Sequence, residues 1–338
     1  RIVSTGGNAG PTGIQGQFNV FDLRERIRLD NPFLSPAARA TITNNILASG
    51  CNNSFLVACN VAGVAATTTR STIGTAGVGY GVIGTGGPLN AADIAAIANG
   101  SYRFAIGRNI IELNSRDERF LRQTYRGVVG LRGDFNEDWK YEVSFNYGRF
   151  TERTNATGYT DKQRFMLALD ACRAKTDPAA AIAFPNTPAN NARLAADIAA
   201  CVPYNPFGSP DNSASAAYFS VPYSNNSWMT QMDISGFVAG DTSGFLNLPG
   251  GPVSFVLGGE YRREDAKYQQ DPFAAAGNTS AVAFGTFDPG LFTVKEAFGE
   301  VRASIFKDRP LLEELSVAAA ARVSDYNSSA GTVWAWNV

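Results

Sequence analysis

The chain of 338 residues contains no histidine. That absence removes the Ser-His-Asp and Cys-His arrangements of nucleophilic catalysis, and with them every histidine-based zinc site. Charge of one sign is also lacking. The 29 Lys and Arg residues against 30 Asp and Glu leave a net charge of −1, so no basic field exists to gather nucleic acid. No run of roughly 18 or more apolar residues occurs, so no membrane-spanning helix is readable. This does not exclude a membrane β-barrel, whose strands need only about 9–11 alternating residues each. Gly84-Thr85-Gly86-Gly87 resembles a phosphate loop only superficially, because no Lys-Ser/Thr follows and no strand–helix context surrounds it. Carboxylates are present, but nothing in the pattern positions a pair of them. The residues therefore point to no enzyme, no metal site and no cofactor.

Cysteine is scarce. The four residues form two pairs close in sequence, Cys51 with Cys59 and Cys172 with Cys201, each in a polar stretch rich in Gly, Asn or Pro. Two disulfides closing surface loops would fit an oxidising, extracytoplasmic compartment; four unpaired thiols are the other reading. The chain begins at Arg1 without Met or a signal peptide and ends at Val338 inside a strand-like run, and it reads as a piece of a longer protein.

What is present falls into two textures. Residues 1–100 read as an extracellular, loop-rich segment of Gly, Ala, Asn, Ser and Thr, interrupted by two expected short helices. One opens at Pro36 behind Ser35, and the other runs over Asn90–Ala98 with Asn90 as its cap. Within 101–338 a period of two dominates. In 121–135 the odd positions carry Leu121, Tyr125, Val129, Leu131 and Phe135, while Arg122, Arg126 and Arg132 take even ones. After a turn at Asn136–Asp138, Trp139, Tyr141, Val143, Phe145 and Tyr147 alternate with Lys140, Glu142, Ser144 and Asn146. The pattern recurs and predicts strands over about 118–135, 139–156, 226–246, 252–268, 292–307, 313–326 and 332–338. Tight connections at 136–138, 247–252 and 308–312 alternate with long loops at 157–225 and 269–291, with a short exception at 327–331. Tight turns on one side and long loops on the other are the habit of outer-membrane barrels. A soluble sandwich has turns of similar size at both ends.

The two faces of these strands differ in kind. One carries both signs of charge at high density, including Arg122, Arg126, Glu260, Arg262 and Arg302, as a wet barrel interior would. The other is aliphatic in mid-strand, with aromatics towards the ends, as at the two interfaces of a membrane. The expected fold is all-β: an antiparallel transmembrane β-barrel with long extracellular loops carrying short helices. Six strands and part of a seventh do not close a wide barrel alone, and an open strand edge in lipid costs several kcal/mol. Further strands are therefore expected beyond both ends.

The run Gln123–Asp134, followed by Trp139 and the strand ending Phe145-Asn-Tyr-Gly148, resembles a mid-barrel hairpin of TonB-dependent outer-membrane receptors. So do Asn31-Pro-Phe-Leu34, Ala200-Cys-Val-Pro-Tyr-Asn-Pro-Phe-Gly208, Gly258-Gly-Glu-Tyr-Arg262, and Ser324-Asp-Tyr326 followed by Trp334. The resemblance implies a fragment of a 22-stranded barrel. It also implies a plug domain, absent from these residues, that contacts the TonB complex, and energy-coupled uptake of an iron chelate, cobalamin or oligosaccharide across the bacterial outer membrane. A passive porin and a surface adhesion barrel are the competing readings.

Two groups of residues are candidates for function. In the loop 157–225, Asp161–Lys175 and Pro188–Ala200 read as short amphipathic helices stapled by Cys172 and Cys201. A loop this long is uncommon without a role. It is expected either to form a ligand wall through Arg164, Tyr204 and Phe207 or to be a self-packed cap. The charges Arg122, Arg126, Glu260, Arg262 and Arg302 are expected to hold the plug by salt bridges or to guide an anionic ligand. Tyr223, Trp228, Tyr261, Tyr268, Trp334 and Trp336 could stack on sugars, though interfacial girdling explains most of them more simply.

Overall fold

In the computed structural model, residues 27–50, 89–104 and 117–338 are described. Their elements run β1 (Ile27–Arg28), α1 (Pro36–Ser49), α2 (Ala91–Asn99), β2 (Arg103–Phe104), β3 (Asp117–Asp134), β4 (Trp139–Thr160), α3 (Lys162–Leu169), α4 (Pro188–Ala200), α5 (Ser213–Phe219), β5 (Ser220–Asp241), β6 (Asn247–Leu248), β7 (Gly251–Gln269), α6 (Pro272–Ala275), β8 (Phe292–Arg309), β9 (Leu312–Tyr326) and β10 (Thr332–Asn337). The described residues are thus mainly antiparallel sheet with a few short helices. No helix among them is long and apolar enough to cross a membrane. They divide into two compact units. One holds 120–154, 225–269 and 286–338; the other holds 155–224, 270–285 and the described part of 1–119.

The first unit is a meander. Its strands lie in the order β10-β9-β8-β7-β5-β4-β3, with the two-residue β6 beside β7. Each long strand pairs with its sequence neighbour. The described residues form an open sheet with β3 and β10 at its edges and no closed barrel. Strands of 15 to 22 residues make up most of it, against the ~5–6 usual in globular sheets.

Register fixes what shares a face. Opposite residues project to the same side. Ser235 faces Glu260, which faces Glu296, which faces Ser324. On the other side, Gly240 faces Phe255, which faces Val301, which faces Ala319. One face therefore carries most of the charged and polar residues, with Phe237, Val256 and Phe298 among them, and the other is apolar over mid-strand. No described element covers the apolar face: Val129, Leu131, Leu257, Trp334 and Trp336 are all more than half exposed. All four tryptophans of the chain, Trp139, Trp228, Trp334 and Trp336, lie on it.

The strand ends follow from local chemistry. At the β3–β4 turn, Asn136 Oδ1 accepts from the backbone N–H groups of Asp138 and Trp139 at 2.9 and 2.8 Å, which closes the turn. After β5, Thr242 Oγ1 donates to Leu246 O at 2.6 Å and accepts from Val253 N–H at 3.0 Å. The strand expected over 226–246 accordingly ends at Asp241. It also begins earlier, at Ser220, because α5 hands the chain directly into it. Residues 220–225, expected in the preceding loop, belong to this strand.

The second unit is built on a core that residue spacing did not reveal. Ile27, Leu29, Leu34, Ile97, Tyr102 and Phe104 pack with Phe165, Leu167, Leu169, Tyr204, Tyr218 and Phe219. The division expected at residue 100 is therefore not a structural boundary: the described part of 1–104 shares a core with the loop after β4. The short ladder of β1 with β2 pairs Ile27 with Phe104 and Arg28 with Arg103. The two early helices start where their caps predict. Ser35 Oγ accepts from Ala38 N–H, and Asn90 and Asp93 form a reciprocal capping box. Each ends on a left-handed glycine, Gly50 or Gly100.

Candidate functional site

The loop between β4 and β5 is a self-packed module, and its polar core explains the packing. Asp161 caps α3, accepting from Arg164 N–H at 3.3 Å. Asp197, on α4 and nearly fully buried, accepts from Gln163 Nε2 at 2.7 Å and from Arg164 Nε at 2.8 Å, with Arg193 Nη1 at 3.0 Å. Arg193 also grips both oxygens of Asp161. Gln163 completes its bonding through Phe184 N–H and Asn190 O. Two carboxylates and two guanidinium groups thus neutralise one another where desolvation would otherwise penalise each alone. Tyr218 donates its hydroxyl to Asp197 O at 2.7 Å. Burial, and then the charge of Asp197, push the Tyr218 phenol far above its ordinary value, so it stays a donor.

The three ligand-wall candidates lie as follows in this packing. Tyr204 is wholly buried and stacks edge-on with Phe219, ring centroids 5.8 Å apart. It is a core residue with no exposed surface. Phe207 packs against the same cluster. Arg164 is partly exposed, but its guanidinium is committed to Asp197 and Asp161. Cys172 and Cys201 are joined in a disulfide 29 residues apart in sequence. It ties the end of α4 to the turn after α3. The proposed pair Cys51 and Cys59 lies outside the described residues. The helix expected over Asp161–Lys175 is shorter, ending at Leu169 before a separate 3-10 turn at Arg173–Lys175. The helix Pro188–Ala200 has the expected bounds.

A cavity of about 250 Å³ does open on this unit, lined by Arg28, Asp30, Asn31, Pro32, Asp170, Ala171 and Arg173. None of the three ligand-wall candidates lines it. Its charges are already matched. Arg28 bonds Asp30, Arg173 bonds Asp170 and Asp177, and Arg103 reaches Asp170 at 2.8 Å. Burial alone would raise the Asp30 carboxyl. The hydrogen bond and charge of Arg28 outweigh it and hold the group below its ordinary range. Sequence reading missed this cluster because its members come from two segments more than a hundred residues apart.

The sheet candidates all sit on the polar face. Arg122 pairs with Glu152 across the β3–β4 hairpin, and Arg126 Nε donates to Asn146 Oδ1 at 3.0 Å. Arg302 reaches Glu314 at 3.4 Å. Arg262 lies between Glu260 and Glu264 along β7, at 3.8 and 3.5 Å, and faces Asp233 of β5. Glu260 directly faces Glu296, a like-charge pair that would be unfavourable alone. Arg322 offsets it, 3.2 Å from Glu296. Every one of the five candidates thus has a polar partner on its own face. Among the described residues, no group of His, Cys, Asp and Glu is arranged to hold a metal ion.

Comparison of the chain with protein-family models, with curated proteins and with solved structures gave no match.

Proposed function

We propose that the chain forms part of a transmembrane β-barrel in the bacterial outer membrane, and that this barrel is that of a TonB-dependent receptor. In that reading it takes up a scarce nutrient such as an iron chelate, cobalamin or an oligosaccharide. The observation that carries the membrane reading is the uncovered apolar face. In water such a surface would cost about 25 cal/mol for each Å² left exposed, and monomeric proteins rarely tolerate large ones. In lipid it has no cost.

Three further features support it. The apolar run spans about nine to eleven residues in β4, β5, β7, β8 and β9, the length a tilted strand needs to cross the hydrocarbon. Its upper limit shifts between β7 and β8: it ends at Tyr261 on β7, whose partner on β8 is already Lys295, and is then level from Ala297 on β8 to Val323 on β9. A slab cutting tilted strands produces such a stagger. The connections at one end of the strands, 135–138, 242–250 and 310–311, are shorter than 161–219 and 270–291 at the other, where 327–331 is the short exception. The receptor reading rests in addition on the family resemblance of the hairpin and loop motifs.

The membrane reading is tested by placing the chain in mixed micelles with a lipid brominated on its acyl chains. With all four tryptophans on the apolar face, their fluorescence should be strongly quenched. Unquenched emission would sink the reading. The transport reading is tested in cells. Loss of the gene and loss of TonB should abolish uptake of the same nutrient. Uptake that needs the gene but not TonB would indicate a passive channel, and uptake independent of both an adhesion barrel.

A further inference from the structure

We propose that the long-loop border of the apolar face binds the phosphorylated headgroups of anionic lipids, through Arg149, Arg263 and Lys295. This rests on the membrane reading above and adds to it a lipid class and the residues that select it.

The alternation of each strand puts these three cations on the apolar face, immediately beyond its last apolar residues. Arg149 follows Tyr147 on β4, Arg263 follows Tyr261 on β7, and Lys295 adjoins Ala297 on β8. Register brings two of them close. Tyr261 faces Lys295 and Arg263 faces Thr293, so Arg263 and Lys295 are diagonal neighbours, with Cα atoms about 7–8 Å apart. All three are exposed, and among the described residues none makes an ion pair. That contrasts with the polar face, where Arg122, Arg262, Arg302 and Arg322 are each matched to a carboxylate.

Two carboxylates lie near these cations without an ion pair: Asp325 faces Lys295 and accepts from Thr332 Oγ1 at 3.0 Å, and Asp265, two residues from Arg263 on the same face, faces Thr230. Lys267 is held by Asp288 at 3.0 Å and is not counted. A cation at this level can lay its aliphatic stem along the apolar face and place its charged end among headgroups. Near an anionic membrane surface each such residue contributes substantially to attraction. Phosphate oxygens also suit the guanidinium fork of the two arginines. Trp228 stands on the same border, facing Lys267 across β5 and β7, and reports on lipid there.

The test uses the chain in mixed micelles containing brominated phosphatidylglycerol or brominated phosphatidylcholine, and compares their quenching of tryptophan at low and high salt. The unmodified protein should prefer phosphatidylglycerol by about fivefold or more at low salt. The triple variant Arg149→Gln, Arg263→Gln, Lys295→Gln should lose that preference. The charge-keeping variant Arg149→Lys, Arg263→Lys, Lys295→Arg should retain most of it. Equal quenching by both lipids in the unmodified protein would overturn the proposal while leaving the membrane reading intact. A preference that survives the triple variant, or is lost in the charge-keeping one, would overturn it as well. No quenching by either lipid would remove the membrane reading and the proposal together.

Discussion

Trp139 on β4 meets Phe255 on β7 edge-to-face, ring centroids 5.1 Å apart, although β5 runs between their strands. The residue of β5 beneath the contact is Gly240, which faces Phe255 directly. A Cβ at Gly240 would lie 2.6 Å from Asp138 O and 2.9 Å from Trp139 Cδ1. The indole also donates from Nε1 to Asp241 O at 2.9 Å. One missing side chain thus lets two aromatics close over a strand at the tight-turn end of the apolar face.

Gly240→Val should therefore destabilise the sheet by about 2 kcal/mol, since the first clash is with backbone and cannot be relieved by a rotamer change. The control is Gly127→Ala, where an added Cβ meets nothing within 4 Å and should change stability by less than about 0.5 kcal/mol. Guanidinium unfolding in detergent, followed by tryptophan fluorescence, measures both. Equal midpoints for the two variants would contradict the account of Gly240.

Replacing both Cys172 and Cys201 by Ser opens a loop closed across 29 residues. The chain-entropy cost of that loop predicts a loss of about 3–4 kcal/mol in the helical unit. Hydrogen exchange should speed up over 162–219, while the strand segment 253–264 keeps its protection. Uniform loosening of both would argue that the two units unfold together.

Asp197→Ala removes the acceptor shared by Gln163, Arg164 and Arg193. Arg164 is partly exposed and can rehydrate, so the cost should stay at about 2–4 kcal/mol, below that of breaking a fully buried pair. Near-ultraviolet circular dichroism of the Phe165, Tyr204 and Phe219 cluster would report it. An unchanged spectrum and melting temperature would show that the network is dispensable.

Acid should act on the cavity of the same unit. The folded Asp30 carboxyl lies below its ordinary value of 3.8, so its pairing with Arg28 is fully stabilising above about pH 4 and is lost as pH falls through the folded value. Asp30→Asn should remove that share of the acid sensitivity and leave stability near pH 7 slightly lower. Thermal melts from pH 2 to pH 7 provide the measurement. An acid slope identical in both proteins would rule out a contribution from this pair.

Much of the sheet was legible because a strand writes itself locally. In 139–147 and 253–261 each residue's side follows from its parity, so both face composition and strand position can be read without knowing any partner. The helix starts at Pro36 and Ala91 were legible for a similar reason, since a cap and the N–H it satisfies lie three residues apart. The loop core was not. Tyr204 in Pro-Tyr-Asn-Pro looks like any exposed loop aromatic until Phe165 and Phe219 are placed around it. The β1–β2 ladder joins residues separated by 75 and 77 positions of chain, and no local pattern encodes that. Ser213–Phe219 carries no helix-capping hydrogen bond from its Asn212 side chain and gave no start signal.

The sequence by itself determined that the strands have one charged and one apolar side and that tight turns alternate with long loops. Both are properties of residues adjacent along the chain. Tertiary structure alone decided which loop residues are core, which charges cancel one another, and that no described element covers the apolar side. Those depend on long-range contacts, and a side chain becomes buried or paired only when the fold brings its partner to it.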